Sequence, residues 1–580
     1  MTLALRPIAP QNSDALYSWS LILIARRLLL SAFVLSGTAT AGAQQDHTHT
    51  ADAAQAHSRL GTVAFPNSGA RSAQAPFLRG VALLHSFGYY DAANAFKAAQ
   101  KADRNFALAY WMEALTYRHP LWGQEDLRSA RAALRRLGSS PNARLAKART
   151  PRERAYGVAV EALFAEAPEI DRVRRFAEAM DQVAETYPTD LEASAFAALA
   201  SLGVWAQLPR NAGAAQVENA IRHAQQVFSA NANHPGAAHY LIHAYDDPSR
   251  AEGGLPFARA YAQIAPDAEH ALHMPAHIFL QVGLWDDVAA ANERAWAASR
   301  AWVRSSRLPA TRLDWHSLTW LQYAYIQQGR YRAARALIDS VRVVLRGADF
   351  GDQSPDAVIV GPDLTFKYRV ASGDWRPIDL PSAGVQSARQ SPRAVGFSST
   401  MLLEQAIAAA MRGDTTHART LVTRVRSRGD SALAGDYGST NYAMGLSVAN
   451  AILARNSGDL TKAIELLQAA GDLEAKTSPT GPPYLPPALE MLGNALLQAG
   501  RPEDAVAAFS KELEIRRNRS ESLLGLARAR LAAGDSKGAV EAYSKLLVNW
   551  KHADPDLPDL LEAKGVVEGT SAGGSSAPVP

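Results

Sequence analysis

Cysteine is absent from all 580 residues. Disulfides, thiolate nucleophiles, Cys-ligated zinc, iron–sulfur clusters and thioether-attached haem are therefore excluded together. Runs of β-branched residues are scarce, whereas Ala, Leu, Arg and Glu recur throughout, and these lose little side-chain freedom in a helix. Blocks of one charge are missing too. The formal net charge is +4, with Lys and Arg interleaved among Asp and Glu, which is no footprint for nucleic acid. There is no P-loop, no G-x-G-x-x-G opening a helix and no His-Glu-x-x-His, so no established catalytic motif is present. One formal G-x-S-x-G, Gly569 to Gly573, needs a strand before its serine and a helix after it. It falls in a Gly/Ser/Pro-rich tail, residues 565–580, where disorder is expected and the match is chance.

The N-terminus reads as an export signal. Arg26 and Arg27 precede the apolar run Leu28 to Leu35, and Ala41-Gly42-Ala43 has the small-x-small form of a cleavage site. The run is short for a bilayer span, and polar residues follow from Gln44. Cleavage after Ala43 removes three arginines and one aspartate, which lowers the formal charge to +2. The expected mature protein is periplasmic or secreted, with no stable membrane span.

A glycine cue recurs along the chain at Gly283, Gly329, Gly373, Gly413, Gly458, Gly500 and Gly534, with intervals of 46, 44, 40, 45, 42 and 34 residues. Each is a stop signal for the first helix of a pair. Small residues such as Ala505 and Ala539 let the second helix approach, and Phe509 or Tyr543 fills the groove between the two. The pattern Leu492-Gly493…Gly500…Ala505…Phe509 and Leu526-Ala527…Gly534…Ala539…Tyr543 resembles the tetratricopeptide repeat. Gly80…Tyr89…Ala92…Phe96…Ala99 resembles an N-terminal copy. The segments HPGAAHYLIHAYDDP (residues 234–248) and HALHMPAHIFLQVG (residues 270–283) resemble an uncharacterised exported bacterial subgroup of such proteins. Gly88 departs from it, standing where a large residue is expected.

The resemblance implies an all-α fold, an α-solenoid of antiparallel helix pairs forming a superhelix. Its expected parts are a signal peptide (1–43), an extended segment (44–75), a helical repeat region with a His-rich groove (76–343), a degenerate repeat with long loops (344–398), C-terminal repeats (399–564) and the tail. The Pro-rich stretch Gly481 to Pro487 should break a helix over 440–475 from the next.

Histidines carry the chemistry. His239 and His243 share a helix face at i, i+4, and His273 and His277 repeat that spacing around Pro275, which is expected near a helix start. Counting back from the glycine at repeat position 15, His277 falls at position 9, His273 at 5 and His316 at 2; aligning Ala92, Phe96 and Ala99 puts His85 at position 13. The resemblance implies that these positions line a concave surface. The favoured function is a scaffold holding a protein or peptide partner, or a small ligand, in that groove through His85, Trp111, His119, Asn292, Tyr323 and Gln327. The alternative is a metal-binding protein or metal-dependent enzyme in which His239, His243, His273, His277 and His316, with Asp246, Asp247 or Glu293 nearby, hold zinc, copper or iron.

Overall fold

A computed structural model describes residues 59–208, 212–346, 355–378, 392–432, 436–477 and 479–573. The expected signal peptide lies outside them. Within them the chain is an all-α solenoid of antiparallel helix pairs, with one two-stranded exception, where Arg118 pairs with Glu125 and His119 with Gln124. No helix there is long and apolar enough to cross a membrane.

The repeat glycines explain the pairing. All seven have positive φ, between 66° and 84°. At Gly283 the Leu284 amide reaches back to the carbonyl of Phe279 at 2.8 Å, the six-residue closure that satisfies a helix's last carbonyls. The same closure joins Arg330 to Tyr325, Asp459 to Ala454 and Arg501 to Leu496. Each first helix is thereby turned into its partner, as Ala488–Gln498 into Pro502–Ile515. The small-and-large alphabet then works as steric fit. A β-carbon on Gly493 would lie 2.6 Å from the Phe509 ring, and one on Gly80 would lie 2.6 Å from that of Phe96. Buried apolar side chains form one cluster from Leu60 to Tyr368, another from Phe366 to Ala563 and a smaller third from Phe87 to Ala244.

The stack folds back on itself. The turn at Asn518 meets the central repeats, where Trp285 donates to the Asn518 carbonyl at 2.8 Å and the Asn518 amide donates to that of Gly283 at 2.8 Å. Arg519 donates to the Tyr323 hydroxyl, and the Ser520 amide to the Gln327 side chain, in buried contacts. At the other end, residues 59–66 cross the helices as an extended strap. The Thr62 amide donates to Asn233 and Phe65 packs on Tyr156.

Several expected boundaries move. Helix begins at Arg71, inside the segment expected to be extended, and takes Pro76 in its interior, where one helix hydrogen bond is lost. The helix expected over 440–475 is two, Asp436–Asn456 and Leu460–Glu474, because Gly458 turns the chain. The tail is helical as far as Gly573, in the helix Pro558–Gly573 that packs on the last repeat. Residues 355–372 of the degenerate region form one long helix.

Candidate functional site

Three successive first helices bring the histidines together. Pro235–Tyr245 supplies His239 and His243. Glu269–His273 and Pro275–Gln281 supply His270, His273 and His277. Met274 between them has ordinary helical dihedrals, and Pro275 opens the second helix, as expected, with His277 inside it. Trp315–Gln327 supplies His316 from its first turn, capped by Asp314.

The imidazoles fall into two sets. In the first, the Nε2 atoms of His243 and His270 each lie 3.1 Å from Nε2 of His239. In the second, Nε2 of His273 and Nε2 of His277 are 3.1 Å apart, and His316 completes the trio. Within each set one nitrogen per ring lies within 4.8 Å of the others.

The outer nitrogens decide what these contacts mean. His239 Nδ1 is 2.7 Å from the backbone carbonyl of His85, which can only accept. His277 Nδ1 is 2.7 Å from the Asp246 carboxylate. His273 Nδ1 is 2.6 Å from Asn292 Oδ1, and the Asn292 amide nitrogen donates to Val288, which fixes that oxygen as the acceptor. All three neutral rings must therefore carry their proton on Nδ1 and present a bare lone pair at Nε2. Two lone pairs 3.1 Å apart cannot hydrogen-bond; a cation must lie between them, or one ring must be protonated. Nitrogens held ~2.0–2.1 Å from a common ion at that separation subtend roughly 100° there, close to tetrahedral.

Burial argues against protonating His239, His243, His270 or His273. It pushes the imidazolium pKa values of His239 and His273 down to about 3, helped by repulsion from neighbouring histidines. Burial and mutual repulsion also hold His243 and His270 well below the ordinary value. The rings so depressed are neutral near pH 7, as metal ligands must be.

Aromatic rings brace both sets. Phe87 adopts φ 55°, a strained backbone for a bulky residue, and its ring lies 4.3 Å from His239 and 5.4 Å from His270 between centroids. Trp320 does the same for the second set, 4.3 Å from His277 and 5.1 Å from His273. Asp246 is itself held by Gln281, which also reaches the Pro479 carbonyl of the Pro-rich connector.

A third group, His85, Glu192 and His234, is closed. His85 contacts Tyr240 and Glu192, His234 contacts Glu192, and the Ala237 amide caps His234 Nδ1. Every ring nitrogen there already has a partner, which makes it a buried structural network.

The other expected site residues separate cleanly. His85 serves through its carbonyl and is fully buried. Trp111 is buried filler donating to Glu161. His119 stacks on Tyr89 at 3.9 Å and edges Trp122, whose ring lies 5.8 Å from His270. Asn292 is buried and bonded to His273, while Tyr323 and Gln327 are buried and bonded to Arg519 and Ser520, so the open groove expected for a peptide is filled at those two residues by the protein's own C-terminal repeats. Glu293 pairs with Tyr325, and Asp247 caps Ser249. The sequence reasoning missed His270, although it precedes His273 by three residues and His277 by seven, on one helix face.

No known protein family matches this sequence, and neither does any curated protein. Solved structures with similar helix stacking include the TPR domain of P58(IPK), 12% identical at a TM-score of 0.22, covering 69% of this chain and 99% of that one. The APC/C hetero-tetramer Cut9–Hcn1 is 12% identical at 0.30, covering 86% and 89%. A monomeric IFIT1 mutant with Gppp-AAAA is 12% identical at 0.32, covering 83% and 91%.

Proposed function

We propose that this helical-repeat scaffold is a transition-metal protein, binding zinc, copper or iron in its interior through His239, His243, His270, His273, His277 and His316. The observation that carries this reading is the 3.1 Å approach of the Nε2 atoms of His273 and His277, with both Nδ1 atoms against acceptors. A histidine whose far nitrogen is held by a carboxylate or carbonyl is oriented as a metal ligand is oriented. Neutral imidazole suits these ions, whereas magnesium and calcium take oxygen. The leader expected over residues 1–43 supports loading outside the cytoplasm.

Elemental analysis of the mature protein purified with these metals supplied tests the reading. A stoichiometric transition metal that disappears in a His239→Ala/His277→Ala double variant is expected. Protein that takes up none of the three metals, while remaining folded, refutes it. A peptide partner in the groove gains no support from Asn292, Tyr323 or Gln327, because all three are engaged internally.

A further inference from the structure

The six histidines follow one rule of the repeat. Numbering each first helix from its first residue, His239 and His243 are positions 5 and 9 of Pro235–Tyr245, and His270 is position 2 of the next, which starts at Glu269. His273 and His277 are positions 5 and 9 of that helix, and His316 is position 2 of Trp315–Gln327. Each set is thus two ligands from one repeat and one from its successor. A helical stack places equivalent positions equivalently, so a site built this way is copied by one translation along the stack. The copying stops on both sides. Helix Leu191–Trp205 has Ala195 and Leu199 at positions 5 and 9, and Trp315–Gln327 has Thr319 and Tyr323.

We infer that the site is a two-copper centre, with His239, His243 and His270 on one ion and His273, His277 and His316 on the other. This inference rests on the metal-binding reading above and specifies it. Six imidazoles exceed what one four-coordinate ion accepts, and three per ion leave each a position for an outside ligand. The two sets touch: ring centroids of His243 and His277 are 5.8 Å apart, and those of His270 and His273 are 6.1 Å apart. That spacing fits paired ions of the two-metal type, which stand ~3.5–4 Å from one another.

The donor set selects the metal. No carboxylate stands in either trio, and Asp246 is spent on His277 Nδ1. Hard ions such as manganese or magnesium require oxygen donors, whereas copper combines imidazole preference with the greatest affinity in the divalent series. Copper also has a monovalent state, which halves the charge that neutral ligands must hold in a buried site. His239 and His273 are fully buried, while His316 is exposed and Trp122, 43% exposed, stands beside His270.

Copper(II) titration of the metal-free mature protein, followed by metal counting and spin-quantified EPR, tests the pair. The wild type should hold two coppers per chain with an EPR intensity well below two spins, because adjacent ions couple. His270→Gln and His316→Gln, each at a solvent-reaching ligand, should each retain one copper with a full single-spin signal; circular dichroism confirms their folding. One copper in the wild type, or two giving two uncoupled spins, overturns the paired centre and leaves the metal-binding reading standing. Zinc retained against equimolar copper overturns the copper assignment. No bound metal of any kind overturns both readings.

Discussion

Asp246 Oδ2 lies 2.7 Å from Nδ1 of His277, and this single contact determines which face of the imidazole is offered to the interior. The carboxylate is buried and steadied on its other oxygen by Gln281 at 2.9 Å. Replacing Asp246 by Ala frees the ring to rotate or to shift its proton to Nε2. Loss of such an orienting partner typically costs about 10–100-fold in metal affinity. Asp246→Asn keeps an acceptor oxygen and should lose less. A competition titration against a chromogenic chelator measures both, and equal affinities for wild type and Asp246→Ala would contradict the role.

The C-terminal repeats are locked by Arg519, buried in bidentate contact with Glu490 (2.7 and 3.1 Å) and bonded to Tyr323. Arg519→Ala strands a buried carboxylate and should destabilise the fold by about 3–5 kcal/mol. Replacing both partners, Arg519→Met with Glu490→Leu, should recover most of that loss. Urea unfolding of the two variants checks the difference.

Gly283 and Gly500 share a left-handed backbone but differ in surroundings. Alanine at Gly500 meets nothing within 4 Å and should cost about 1–2 kcal/mol, the backbone penalty alone. Alanine at Gly283 would also collide with Asn518 and stand 2.7 Å from the Arg517 carbonyl oxygen. Gly283→Ala should therefore melt lower than Gly500→Ala and expose the Asn518 turn to protease. Equal melting temperatures would show that the contact relaxes freely.

Glu404 is buried, and burial, aided by repulsion from Asp363, raises its carboxyl pKa well above 4.5. Above pH 4.5 the unfolded chain releases this proton while the folded chain retains it. Stability contributed by the group therefore falls as pH rises through that window, until the folded pKa is passed. Glu404→Gln removes the dependence. Denaturation at pH 5 and pH 8 should show the variant gaining on wild type at the higher pH, and a constant gap would count against the assignment.

Much of the architecture was readable because it is local. A glycine every 34 to 46 residues marks a left-handed turn wherever it falls, and all seven marked positions adopt one. The i, i+4 spacing of His239/His243 and His273/His277 likewise places each pair on one face without reference to the remainder of the chain. His270 was overlooked because its neighbour in space, His239, lies 31 residues away, and pairing across repeats has no local signature.

The amino-acid sequence alone determined the helix pairs, their turns and which imidazoles ride on which helix, since each follows from backbone preference and side-chain size over a few residues. Only the tertiary structure decided that the groove is closed by the protein's own C-terminal repeats, and that the Nε2 atoms of His273 and His277 face one another with acceptors behind them. Those outcomes depend on contacts between residues up to 235 positions apart, and the energy of such contacts is not written in any short stretch of chain.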